Sequence, residues 1–367
     1  SGVTNMQNAF KDRTTFNEDI SGWDVSNVTN MSQMFYQATS FNQDIGDWNV
    51  SNVTNMAKIF RSASAFNQPI GGWNVSAVTS MSRMFLGASS FNQSIFNWNT
   101  SSVLNMDYMF NGAGSFNHDI GQWNTSAVIN MAHMFRTASA FNQDIGNWDT
   151  SSVANMTFMF HGANAFNQNV SDWNVSAVTN MTDMFNGANV LSNENKGLIH
   201  SSFSSNPNWP YDWREFVALN DTNFQSAVNL WFDNQAEANA TYGHISDWNV
   251  TGVTDMSFAF RSTTLNQPIG NWDVSNVTNM RSMFDRAANF NQDIGDWNTS
   301  SVTNMSNMFE RAYAFNQDVS DWNISSVTNI GNMFLYAWGL NNANKGLIHG
   351  SFSSYSNWPY NWHQHVV

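Results

Sequence analysis

A 25-residue period governs this chain. The stretch Phe41-Asn42-Gln43-Asp44-Ile45-Gly46-Asp47-Trp48-Asn49-Val50-Ser51-Asn52-Val53-Thr54-Asn55-Met56 runs on to Ala65, and Phe66 opens the next unit. The opening residue recurs as Phe16, Phe41, Phe66, Phe91, Phe116, Phe141 and Phe166. After an interruption the register resumes at Leu265, Phe290 and Phe315. A unit this short cannot bury its own apolar face, so successive units must stack and share one continuous core. The expected architecture is therefore a right-handed repeat solenoid with one coil per unit.

Each unit divides into three parts. Phe-Asn-Gln-Asp-Ile places apolar residues on either side of polar ones, which suits a short parallel strand with one buried face. A bend follows at Gly46, Gly71, Gly121, Gly146, Gly270 and Gly295, where a side chain would obstruct the turn. Trp-Asn-Val-Ser-x-Val forms a second extended arm. In the third part Met31, Met34, Phe35 and Ala38 fall at i, i+3, i+4 and i+7, the stripe of a short helix capped by Thr29 or Asn30. Stacking then aligns Phe, Trp, Met and Asn into ladders, so the aromatic and Met content is core.

Two modules are expected. Residues 1–213 form module one, with seven full coils and a C-terminal cap over 191–213. Residues 214–367 form module two, with a helical N-terminal cap at 214–243, coils over 244–339 and a C-terminal cap over 340–367. The cap assignment rests on Leu191–His200 recurring almost unchanged at Leu340–His349, each followed by Ser-Phe-Ser-Ser, Asn-Trp-Pro-Tyr and a further Trp. Asp221–Asn234 carries Phe224, Val228, Leu230 and Trp231 and reads as an amphipathic helix begun by Asp221 or Thr222. Module one has no counterpart to that helix, which suggests an excerpt from a longer tandem array.

The carrying residues, Ser-x-Val-Thr-x-Met, Met-Phe-x-x-Ala-Ser-Ser and Phe-Asn-Gln-Asp-Ile, resemble the BspA-like group of bacterial surface repeats in the variant seen in mycoplasmas. The resemblance spans nearly all of 1–190 and 244–339. It implies a leucine-rich-repeat-like solenoid, exported and engaged in surface attachment, though the coil is longer than the commoner pattern and uses Trp and Met for Ile, Cys and Pro.

Composition narrows the function. Charged residues are 11% of the chain against 42% apolar, and the formal charge is −14. Such a balance disfavours nucleic acid, and no basic stripe is evident along the chain. Cysteine is absent, which removes disulfide and thiolate chemistry, and no apolar run reaches the length of a membrane span. The His residues are scattered, and zinc spacing, phosphate loops and nucleophile elbows are missing. The reading is non-enzymatic.

The foremost site candidate is the polar ladder on the strand face: Asn42 with Asp44, Asn117 with Asp119, Asn142 with Asp144, and the pair Asp293 and Asp318. Carboxylates stacked about 4.8 Å apart repel unless something intervenes, so calcium, weakly held at Asp19, Asp44, Asp119 and Asp144, is one reading. A solvated face whose Asn and Asp bond local backbone is the plainer one. Trp213 and Trp362, with their neighbouring cap aromatics, are a second candidate for glycan stacking, against a plain packing role. Asn-x-Ser/Thr triplets arise automatically from the consensus and say little of glycosylation. The expected function is an extracellular or cell-surface structural, spacer or self-assembling protein, its partners being copies of itself or neighbouring modules. The alternative is an adhesion module binding a glycan or protein on the Asn-Gln-Asp face.

Overall fold

In the computed structural model, which describes residues 2–366, parallel bridges link Asn5 to Asn30, Asn30 to Asn55, and onward in steps to Asn180. A second series links Asp255, Asn279, Asn304 and Asn329. The period in the sequence is thus the period of a coil stack. Two compact units result, one ending at Asp212 and the other starting at Trp213.

The coils contain neither the strands nor the helices expected of them, and the strand-based, leucine-rich-repeat-like fold is overturned. Among the described residues the only strand-type pairing is single-residue bridges, and all four α-helices lie outside the coils. The Met-x-x-Met-Phe-x-x-Ala segment is a run of consecutive β-turns. Met34, Tyr36 and Ala38 donate their N–H to Met31, Gln33 and Phe35 three residues back, at 3.2, 3.2 and 3.0 Å. Gln33 and Gln37 take left-handed φ of 58° and 57°, as the third residue of a type II turn requires. The alternate N–H groups point along the stack. Those of Met31, Gln33, Phe35 and Gln37 donate to Asn55, Ala57, Ile59 and Arg61 of the next coil at 2.8–3.0 Å. Every backbone donor from Met31 to Ala38 save Ser32 is thereby satisfied by backbone, and Ser32 N–H reaches Asn30 Oδ1 at 3.0 Å. A helix would satisfy them internally instead. The turn run keeps the same side chains inside while joining each coil to the next.

The Phe-Asn-Gln-Asp-Ile segment is no strand for a related reason: side-chain amides replace the backbone ladder. Asn42 N–H donates to Asn17 Oδ1 at 2.8 Å, and Gln43 Nε2 donates to the Asn17 carbonyl at 2.9 Å. The following glycine is demanded by the neighbouring coil: a Cβ on Gly46 would stand 2.5 Å from the Pro69 carbonyl oxygen.

The core is a set of ladders. Phe35 stacks on Phe41, which opens the next unit, at 3.9 Å and on its own equivalent there, Phe60, at 5.7 Å. Trp98, Trp123, Trp148 and Trp173 lie nearly parallel at 6.1–6.5 Å, and their buried indole N–H groups donate to carbonyls of the preceding coil, as Trp123 does to Ile95 at 3.1 Å.

Helices close the stacks. α1 (Asn193–Phe203) follows the last coil of the first unit, capped by Ser192 Oγ, which accepts from Asn195 N. In the second unit, α2 (Phe224–Asp233) and α3 (Gln235–Tyr242) precede the coils, and α4 (Asn342–Phe352) follows them. α2 buries Phe224, Ala227, Val228 and Trp231 in the same core as the coils, with Trp231 edge-on to Trp248 at 6.0 Å. Asp221 lies just before α2, where its carboxylate accepts from Thr254 and Asp255 N–H.

Candidate recognition site

The ladder residues expected to meet a ligand are occupied within the stack. Asn42 Oδ1 accepts from Asn67 N at 2.8 Å, Asn117 Oδ1 from Asn142 N at 2.9 Å, and Asn142 Oδ1 from Asn167 N at 2.8 Å. The carboxylates of Asp44, Asp119, Asp144 and Asp293 each accept from the glycine N–H two residues on, at 2.8–3.0 Å, while Asp19 and Asp318 do the same with Ser21 and Ser320. The Ser21 backbone and hydroxyl hydrogen bonds hold the Asp19 carboxyl below its usual range. Among the described residues, no group of three or more His, Asp or Glu is assembled that could hold a metal ion.

Trp362 is half-buried in the second cap, 4.7 Å from Tyr360 and 5.6 Å from Trp358. Trp213 is likewise half-buried, at the start of the one-turn 3-10 segment Arg214–Phe216. The cap aromatics close the core and its hydrogen bonds: Tyr211 Oη accepts from Phe185 N at 2.8 Å, and Tyr360 Oη from Phe334 N at 2.7 Å. Burial pushes both phenols up to about 12. Trp209 Nε1 donates to His200 Nδ1, and Trp358 Nε1 to His349 Nδ1, both at 2.9 Å.

A different surface gathers the chemistry that the core leaves unused. Apart from Lys196, Arg214 and Lys345, every Lys and Arg of the chain lies in a turn segment, and stacking brings them into one lane per unit. In the first unit, Lys11 and Arg61 lie over the Tyr36 ring at 5.3 and 4.9 Å, and Arg83 lies over Tyr108 at 4.9 Å. His133 is sandwiched between Tyr108 (4.1 Å) and Phe158 (5.0 Å), and Arg136 reaches over Phe158. In the second unit, Arg261 and Arg281 flank Phe258, and Arg311 lies over Tyr336. Carboxylates enter too: Asp107 lies 3.6 Å from Arg83, Asp285 2.9 Å from Arg261 and Glu310 3.3 Å from Arg311. Burial, followed by the charge of Arg136, holds the His133 imidazole below its ordinary value. Most coil carboxylates, including Asp44, Asp119 and Asp144, lie in the other two segments. A chain of net negative charge thus presents a lane of guanidinium groups and rings.

This lane escaped sequence reading because its members are separated by about one period each and form no run. Sorting charges by position within the repeat finds them.

A stack of near-identical coils defines a tandem-repeat protein. Residues 1–98, 91–198 and 226–346 match the family described as "Mycoplasma protein of unknown function, DUF285", and the chain belongs to that family. The match bears out the mycoplasma-type part of the expected resemblance and does not extend to BspA-like proteins. No match is found among curated proteins.

Proposed function

We propose that the chain is a non-enzymatic recognition module, displayed outside the cell, that binds a surface partner through its turn lanes. One observation carries this reading: repeat-invariant polar groups are spent inside the stack, while the variable Arg, Tyr, Phe and His converge on a partly exposed lane in each unit. Arg and aromatic side chains are the residues enriched where proteins meet partners. Conjugation to bacterial surface attachment comes from the resemblance to surface repeats, and the absence of Cys agrees with any compartment.

The spacer or self-assembling alternative is less well supported, because the C-terminal end of each stack carries a closure. In the first unit Asn206 Nδ2 donates to the carbonyls of Val175 and Val178 at 2.6 and 3.0 Å, and Asn195 Nδ2 donates to Asn167. In the second, Asn344 Nδ2 donates to the Asn316 carbonyl at 3.0 Å. Groups that a further coil would need are already taken.

The test is adherence of protein-coated beads to cultured epithelial cells. The variant carrying Arg61→Gln, Arg83→Gln and Arg136→Gln keeps its fold, because half-exposed cation–ring contacts are worth only about 0.5–1 kcal/mol each, and loses most adherence. Equal adherence of variant and wild type, or none by either, overturns the reading.

A further inference from the structure

The last two coils of the second unit break the repeat in a way the fold does not require. At the position held by Thr39, Ser64, Ser89, Gly114, Ser139 and Asn164 in the first unit, they carry Tyr313 and Trp338. Where small hydroxyl residues stand, they serve the stack: Thr39 Oγ1 donates to the Thr14 carbonyl at 3.1 Å, and Ser139 Oγ to Gly114 at 3.2 Å. The aromatic replacements do no such work and are left in water. Trp338 is 73% exposed, Tyr336 45% and Tyr313 44%. An indole this exposed leaves most of its apolar surface in water.

Their geometry is that of a shelf. Tyr313 lies beneath Trp338 with centroids 5.1 Å apart and planes within 19°, and Tyr336 stands edge-on beside it at 6.1 Å and 74°. One indole face is therefore covered and one edge is walled. The opposite face is where the next rung of the ladder would sit, but the coils end at Leu340 and α4 begins two residues later. On the covered side, in the coil of Tyr313, Arg311 lies over Tyr336 at 5.3 Å, with its Nη1 3.3 Å from Glu310 Oε1.

We propose that Trp338, Tyr313 and Tyr336 form a binding site for one pyranose ring of a neutral carbohydrate, stacked as the missing rung on the open indole face. A pyranose presents a flat, weakly positive C–H face to a ring whose own face is negative. Arg311, the nearest cation along the lane, lies on the covered side and is paired with Glu310, so the open face meets no spare cation for an anionic sugar. The shelf is one ring wide, far short of the about 800 Å² per partner that a stable protein interface buries. Trimethylammonium groups are held by cages of several rings, and here a single face is open.

The site is independent of the lane in the first unit, and one experiment separates the two. Wild type, Trp338→Ser, Trp338→Phe and the Arg61/Arg83/Arg136→Gln variant are applied to an array of immobilised glycans. The array carries neutral galactose-, mannose- and N-acetylglucosamine-terminated glycans with sialylated and sulfated counterparts, and melting and light scattering are recorded alongside. The expected result is retention on at least one neutral glycan, reduced about tenfold or more in Trp338→Ser, the loss of one stacking contact. Trp338→Phe retains part of the binding, the lane variant retains all of it, and the melting temperature is unchanged because Ser is the residue other coils carry there. Retention unaffected by Trp338→Ser overturns the site. Retention confined to sialylated or sulfated glycans, or no retention, overturns the ligand class. A concentration-dependent dimer that Trp338→Ser abolishes overturns it in favour of a second copy as the occupant.

Discussion

At the scale of single residues, asparagine bears the unusual duty. Asn117 Oδ1 accepts from the N–H of Asn142 at 2.9 Å and from Gln143 Nε2 at 2.9 Å, standing in for a backbone carbonyl between coils that do not pair there directly. Asn117→Ala therefore removes the acceptor of two donors of the next coil, and at about 0.5–1.5 kcal/mol per hydrogen bond we expect a loss of about 1–3 kcal/mol, read from urea unfolding. Asp119→Ala, which removes only the acceptor of a surface turn, should cost about 0.5–1 kcal/mol. Equal costs for the two would show that the Asn ladder is not structural. These hydrogen bonds explain why Asn-Gln-Asp reads from sequence as a binding face. A recurrent polar strip serves either a ligand or its own stack, and composition cannot separate the uses.

At the scale of elements, the caps introduce buried histidines that accept from tryptophan, and His349 is the one whose titration can be followed. Trp358 Nε1–H can only donate, so His349 Nδ1 must be unprotonated and the neutral ring carries its proton on Nε2, which donates to His363 Nδ1 at 3.1 Å. His349 is 2% exposed, and burial, then the His363 charge, lowers its pKa. A histidine whose folded value lies below the unfolded value of about 6.5 favours folding fully above that pH. Its contribution declines as pH falls from about 6.5 toward the folded value, because the unfolded chain takes up the proton first. Melting temperature should thus drop between pH 7.5 and 5. His349→Asn, which offers Trp358 an acceptor that does not titrate, should flatten that drop, and an unchanged pH slope in the variant would contradict the assignment. The turn run is the other instructive element. Met31, Met34, Phe35 and Ala38 fit the apolar spacing of a helix, yet consecutive turns bury the same four side chains. Periodicity reports which side chains face inward, not which hydrogen bonds place them there.

At the scale of the whole molecule, closure at the stack ends and charge on the lanes make opposite demands on assembly. If the capping hydrogen bonds of Asn206, Asn195 and Asn344 close the C-terminal ends of the stacks, end-to-end growth lacks one of its two faces, and light scattering coupled to size exclusion should give one monomeric mass over a hundredfold range of concentration. The net charge of −14 reinforces this, since like-charged molecules resist association. Growth into long species on concentration would instead favour the self-assembling role.

The sequence alone determined the coil period, the caps and the identity of the core, because a stack forces equivalent residues into equivalent places and apolar ladders are visible as repeats. What it could not determine is the backbone conformation within a coil. Left-handed φ at Gln33 and Gln37, and N–H groups alternating between their own turn and the next coil, depend on a neighbour 24 residues away. The lanes and the aromatic shelf were likewise decided by tertiary structure. Arg61, Arg83 and Arg136 are distant along the chain, and only stacking sets them on one surface; Trp338 looks like one more aromatic in a chain full of them until its burial is known. A buried Trp and an exposed one are the same letter, and solvent exposure, set by the fold, distinguishes core from candidate site.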